Sequence, residues 1–208
     1  MRRLRAPAIH RFREKASVFL TELHPARGAA ERDVVLAALR KRDFDATHHC
    51  SAWREGVPLA AAGSDDDGEP GGTAGPPMLR VLEGADVSDL LAVCIRWYGG
   101  TKLGTGGLVK AYTEGVQGAL AVAEAEGSLV EVIPLLHGSI LCAPEQAHLP
   151  FQLLGAFPGA KILDQSFESG ISTLRFALAP EEGPRLEHLW RERSRGGEVA
   201  WEGVFADP

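Results

Sequence analysis

Two stretches of this sequence hold residue types that bind ions or phosphates. The first, "SDDDGEPGGTAGPP" at 64–77, places Asp65, Asp66, Asp67 and Glu69 directly before a run of glycines, and clustered carboxylates attract a hard cation. The second, "RWYGGTKLGTGGLVKAY" at 96–112, carries Arg96, Lys102 and Lys110 among glycines whose backbone N–H groups can cradle a phosphate. Neither stretch spells a complete known site. With Gly68 aligned on the invariant glycine of a calcium loop, Gly63 takes the first ligand position and Ala74 the bidentate glutamate position. In the second stretch no Gly-Lys-Ser/Thr follows a four-residue spacer, and Gly104-x-Gly106 is followed by Val109 where a dinucleotide fingerprint needs a third glycine.

Arg96, Lys102 and Lys110, with Trp97 and Tyr98, predict a basic and aromatic surface for a phosphate or a stacked base. The bland alternative is that the glycines permit a tight turn and close helix packing, and that the aromatics end a buried strand. His48, His49 and Cys50 are adjacent, so in a strand they point to opposite faces and cannot all serve one ion; they are expected to be structural. No Gly-x-Ser-x-Gly elbow occurs, and no nucleophile can be assigned.

These stretches need elements to position them. "SVFLTEL" reads as a strand, and "AAERDVVLAALRKR" as a helix with Val34, Val35, Ala38 and Leu39 on one face. "DFDATHHCSAW" alternates as a strand, "PMLRVLEGA" suits a short helix, and "LLAVCIRWY" is a strongly apolar strand that runs into the second glycine stretch. A long helix over "GGLVKAYTEGVQGALAVAEAEG" stacks Leu108, Ala111, Tyr112, Gly115, Ala119 and Val122 on a buried side. Gly127 ends it, and from Glu131 the pattern restarts as β-α-β-β-α-β, the order of a ferredoxin-like domain.

At 208 residues the chain suits two small domains, each with its own core. With 45% hydrophobic and 24% charged residues, neither disorder nor a fibrous protein is expected. The longest apolar runs fall far short of the roughly 20 residues of a membrane span, so a cytoplasmic protein with no membrane partner is expected. Cys50, Cys94 and Cys142 are widely spaced and set in strand-like runs, which favours reduced thiols over disulfides or zinc. A net charge of −6 argues against coating nucleic acid through bulk charge, while a local basic face can still bind it. The basic N-terminal arm, with Arg2, Arg3, Arg5, Arg11, Arg13 and Lys15, is expected to be a solvated terminus.

Together, "DDGEPGGTAGPPML" and "RWYGGTKLGTGGLVKAY" closely resemble the paired signatures of the Impact/YigZ family of conserved proteins, and "DATHHCSAW" is similar to the family's Ala-Thr-His segment. The resemblance covers residues from about 15 to 125. The remainder is similar to the smaller C-terminal domain of the family's bacterial branch in size and element order. Two departures stand out: Val18 replaces a basic residue, and Arg96-Trp97-Tyr98-Gly99-Gly100 replaces an Arg-Tyr-Phe-Gly-Gly run.

The resemblance implies an α+β chain of two domains. Residues 1–128 would form a βαβ fold like domain IV of elongation factor G and a small-subunit ribosomal protein domain. Residues 131–208 would form a ferredoxin-like βαββαβ domain like domain V of that factor. Eukaryotic members are tied to translational control through a partner in the amino-acid starvation pathway.

The expected function is non-enzymatic binding of structured RNA, the ribosome or a translation-associated protein, with no cofactor, metal or catalytic residue. The expected binding residues are Arg96, Tyr98, Gly99, Gly100, Lys102, Gly104, Gly106, Gly107 and Lys110 on one loop, with Asp66, Asp67, Gly68, Glu69 and Thr73 on the other. The alternative is a magnesium-dependent phosphotransferase or hydrolase, in which Asp66, Asp67 and Glu69 hold the ion and the glycine loop receives phosphate. Whether the two loops meet discriminates the two. The acid loop either binds an ion or orients the basic loop through Asp67 or Glu69 paired with Arg96 or Lys102.

Overall fold

A computed structural model describes residues 1–195 and 197–206; positions 207 and 208 of the expected C-terminal domain lie outside the described residues. Cα packing divides the chain into one unit from Met1 to Val132 and a second from Ile133 onward.

The first unit is built on a five-stranded sheet of order β2-β3-β7-β4-β5, formed by β2 (Ala8–Glu14), β3 (Ser17–Pro25), β4 (His48–Glu55), β5 (Ala61–Asp65) and β7 (Leu90–Trp97). Strand β7 is central and antiparallel to both β3 and β4, so β3 and β4 run parallel and are joined through helix α1 (Ala29–Arg42). Its unbroken apolar sequence follows from burial on both faces. Leu90, Ala92 and Cys94 face a core shared with α2 (Gly75–Gly84) and α3 (Thr105–Ala125), while Leu91, Val93 and Ile95 face a second core under α1.

Helix α3 buries Leu108, Ala111, Tyr112, Gly115 and Ala119. A Cβ at Gly115 would overlap the Thr21 hydroxyl of β3, so the small residue sets the helix-to-sheet distance. Helix α1 corrects one expectation. Val35, Leu36 and Leu39 pack toward the sheet, whereas Val34 is 71% exposed and Ala38 is also exposed. The apolar stripe is one position off because Leu36, not Val34, completes the i, i+3, i+4 face with Val35 and Leu39.

The N-terminal arm is not a solvated terminus. β1 (Arg2–Leu4) lies between β6 (Val87–Ser88) and β8 (Leu129–Glu131), Arg3 pairs with Asp89 at 2.6 Å, and Arg2 donates to the Ala85 carbonyl at the end of α2. Arg2 and Arg3 are held by carboxylates and a carbonyl of the folded unit, while Arg5, Arg11 and Arg13 are exposed. Arg11, Arg13 and Lys15 lie on β2 and its hairpin turn into β3.

The second unit runs β9 (Pro134–Cys142), α4 (His148–Leu154), β10 (Lys161–Glu168), β11 (Ile171–Leu178), α5 (Gly183–Arg193) and β12 (Val199–Ala206). Its four strands are antiparallel in the order β10-β11-β9-β12, the ferredoxin-like arrangement. Ile140, Leu153, Phe176, Leu186 and Trp190 form its core. The whole chain is therefore an α+β protein. Among the described residues no helix is long and apolar enough to cross a membrane.

Candidate functional site

The two glycine-rich stretches meet. Strand β5 ends at Asp65 and delivers the acid loop; β7 ends at Trp97 and delivers the basic loop, which closes into α3. Between them lies a cleft of about 440 Å³ lined by residues that include His48, Glu69, Arg96, Tyr98, Lys102 and Thr105.

The acids do not converge on a common ion. Asp66 turns both oxygens onto backbone: Oδ1 accepts from the Ala74 and Gly75 N–H groups at 2.9 and 2.8 Å, and Oδ2 from Gly72 N–H at 2.7 Å. It thereby caps the N-terminus of α2, where no residue beside the helix supplies a side-chain cap. Partial burial pushes this carboxyl up, and the three backbone bonds outweigh that and hold it below its ordinary range. Asp67 accepts from Arg40 at 2.7 Å and from the His49 N–H at 2.6 Å. Among the described residues no group of three or more His, Cys, Asp or Glu side chains is arranged to hold a metal ion. Thr73 donates to the Pro70 carbonyl at 2.6 Å, and Gly68, at φ 84°, packs beside the His48 ring.

Glu69 does the connecting. Its Oε1 accepts from Arg96 Nη1 at 2.6 Å and from the Tyr112 hydroxyl at 2.7 Å, while Arg96 Nη2 donates to Ser17 at 3.2 Å. The side chains of Arg96 and Glu69 are 5% and 3% exposed. Arg96 is thus a correction to the expected basic surface, since its charge is neutralised inside the unit. Alternation along β7 places it on the same side as Ala92 and Cys94, facing α3. Sequence reasoning also missed Tyr112 as a site residue. It donates to Glu69 and accepts from Cys50 Sγ at 3.3 Å, and burial first of all raises its ionisation well above the usual phenol range.

His48 faces the cleft as well. Its Nδ1 lies 2.8 Å from the Asp67 carbonyl, so Nδ1 carries the proton, and Nε2 sits 3.9 Å from Glu69 Oε2. The basic loop is clamped from both sides. Thr47 Oγ1 accepts from Tyr98 N–H at 3.0 Å, and Lys15 Nζ donates to the Lys102 carbonyl at 3.3 Å. Gly99 lies so close to the Ala16 carbonyl of the β2–β3 turn that a Cβ would overlap it.

Gly100 and Gly104 adopt φ of 86° and 75°, which closes the turn into α3. Gly106 and Gly107 occupy the first turn of that helix, where no side-chain cap is present. Lys102 and Tyr98 are exposed at the mouth of the cleft, Tyr98 at 42%. Lys110 is exposed one turn further along α3 and does not line the cleft.

A family model described as the Impact N-terminal domain matches residues 15–120. The chain is 38% identical to the Impact family member YigZ of Escherichia coli (strain K12) over 184 residues, which is 88% of this chain and 87% of that protein. It is 39% identical to an Impact family member of Haemophilus influenzae (strain ATCC 51907 / DSM 11121 / KW20 / Rd) over 76% of this chain and 75% of that one. A crystal structure of a protein described as hypothetical superposes with a TM-score of 0.61 at 34% identity, covering 96% of this chain and 95% of that chain.

Proposed function

The chain belongs to the Impact family, and from that premise we propose that it is a non-enzymatic binding module of translation, engaging structured RNA, free or in the ribosome, through the basic side of its loop pair. The observation that carries this is the split fate of the basic loop's charges. Arg96 is consumed inside the unit, whereas Lys102 and the Tyr98 ring stand exposed together at the mouth of the cleft, at the N-terminus of α3. An ammonium beside an exposed aromatic face suits phosphate and base. Lys15 reaches the same loop from the β2–β3 turn and adds charge there. The tie of eukaryotic family members to translational control supports the same function.

The magnesium-dependent alternative requires the loops to meet, and they do. It fares worse on the acids, because Asp66, Asp67 and Glu69 are each already committed to backbone N–H groups or to arginines.

The test is association of the purified protein with ribosomes and with a structured RNA across a salt series, beside a Lys102→Glu/Lys110→Glu variant. Both lysines are exposed, so the variant is expected to fold. Affinity should fall steeply with salt and drop at least about tenfold in the variant. Binding that ignores salt, or a folded variant that binds as wild type does, overturns the proposal.

A further inference from the structure

We propose that strand β10 docks onto the β10 of a second copy of this chain, the two strands pairing antiparallel about Gln165 so that their sheets join edge to edge. This goes beyond the RNA-binding function proposed above and does not depend on it.

The first observation is where exposed apolar side chains collect. β10 is the outer strand of its sheet, and among the described residues it pairs with β11 alone, which leaves one row of its backbone N–H and C=O groups facing outward. Ile162, Leu163 and Phe167 on this strand and Ile171 at the start of β11 are all exposed, Ile162 at 51% and Phe167 at 60%.

The other edges are blunted in ways that keep an edge strand single. In the first unit β2 carries Arg11, Arg13 and Glu14, and β5 is five residues long and ends in Gly63, Ser64 and Asp65. β12, the opposite edge of the second sheet, is interrupted in its middle by a bulge at Glu202. In β10 the bulge lies near the start, at Leu163, and Asp164 to Glu168 run in unbroken register with β11.

The second observation is that β10 is complementary to itself. Its pairing with β11 fixes which way each side chain points. Ile162, Gln165 and Phe167 lie opposite Phe176, Leu174 and Ser172, on the core side of the sheet, and Lys161, Asp164, Ser166 and Glu168 lie on the other side.

A two-fold axis through Gln165 brings the two Gln165 amides together and sets each Asp164 opposite the partner's Ser166. The bulge at Leu163 takes up one residue, so that Ile162 then faces the partner's Phe167 and Lys161 faces the partner's Glu168. Every residue meets one that points to the same face, apolar meets apolar, and no like charges fall opposite each other. Neighbouring registers fail this test. An axis through Asp164 sets that carboxylate against its own copy, and an axis through Ser166 sets Asp164 against the partner's Glu168. Because the strand supplies its own complement in one register, a second copy fits the edge better than an arbitrary extended peptide does. An edge of eight residues is smaller than a standard stable interface, so the dimer is reversible.

The experiment is sedimentation velocity of the full chain from micromolar to submillimolar concentration, beside Ile162→Lys/Phe167→Glu and Ile162→Lys/Phe167→Lys. Both double variants remove the same exposed apolar pair, so both are expected to fold. In the proposed register position 162 faces position 167 of the partner, so the first variant opposes unlike charges and the second opposes like charges. Wild type should pass from monomer to dimer as concentration rises, the first variant should still dimerise, and the second should associate at least about tenfold more weakly than the first. Hydrogen exchange of wild type at the two ends of the series should show the amides of Lys161–Glu168 slowing in the dimer. Two double variants that associate alike overturn the proposal, as does a dimer whose β10 amides exchange as they do in the monomer. A wild type that stays monomeric throughout also overturns it, and if an added peptide of alternating valine and threonine then slows the β10 amides, the edge belongs to a peptide strand instead.

Discussion

The Arg96 guanidinium and the Glu69 carboxylate, carried by the two glycine-rich stretches, meet at 2.6 Å in the interior and join the loops into one body. A buried pair of this kind is weak evidence of net stabilisation, yet breaking it is costly because the survivor stays buried and uncompensated.

Arg96→Met should therefore destabilise the protein by about 3–5 kcal/mol, with Glu69 left beside Tyr112 and His48. Arg96→Met/Glu69→Leu should recover most of that loss. Urea unfolding of the wild type, the single and the double variant measures both. A single variant as stable as wild type would mean that the pair does not hold the loops.

Asp66 makes a prediction with a pH signature. Its folded-state ionisation lies below the ordinary carboxylate range, so the carboxylate's contribution is present above pH of about 4 and fades as pH falls through the folded-state value. Asp66→Asn should cost about 1–2 kcal/mol near neutrality, since an amide keeps one acceptor where three backbone N–H groups are served. The gap between the two proteins should close on acidification. Chemical denaturation at several pH values reads it, and a gap that widens toward low pH would contradict the capping role.

Much of this was legible before any coordinates. The apolar run of β7, the 3.6-residue stripe of α3 and the βαββαβ order of the second unit each follow from one period in the sequence. The loop pair was legible as a pair only through its resemblance to the paired signatures of the Impact/YigZ family.

What escaped was the assignment of charge to inside or outside. Arg96 reads as a surface cation next to Lys102, although the alternation Leu90, Ala92, Cys94, Arg96 already puts it on the α3 side. The same blindness hid β2, where Ala8, His10 and Phe12 alternate toward the helix side while Arg11 and Arg13 point away. Spacing reports which face a residue takes, but not whether a partner waits there. Glu69, Tyr112 and Arg96 come from three separate elements, and only the fold brings them together.

The thiols give a third prediction. Burial raises Cys50 far above the usual thiol range and Cys94 to about 12, while Cys142, half-buried in the second unit, is raised less. The thiolate is the reacting species, so Cys50 and Cys94 should alkylate at least about tenfold more slowly than Cys142 in native protein at pH 8. Iodoacetamide labelling followed by peptide mass spectrometry checks the order, and all three should label together once the chain is unfolded in urea. Fast native labelling of Cys50 would mean that the Tyr112 and Asp66 neighbourhood opens readily.

The glycines of the basic loop are unequal, and alanine separates them. At Gly99 a Cβ would overlap the Ala16 carbonyl, a backbone atom of the β2–β3 turn that cannot swing aside as a flexible side chain can. Gly99→Ala should push the loop off that turn and destabilise by about 2 kcal/mol or more, with loss of the Lys15 to Lys102 clamp. At Gly106 a Cβ meets nothing, and the residue lies in the first turn of α3, so Gly106→Ala should be neutral or stabilising by about 0.5–1 kcal/mol. If the glycines serve only the fold, both substitutions should destabilise. Thermal unfolding of the two variants beside wild type measures the difference, and a Gly106→Ala protein that is less stable than wild type would show that the first turn of α3 needs its glycine for folding.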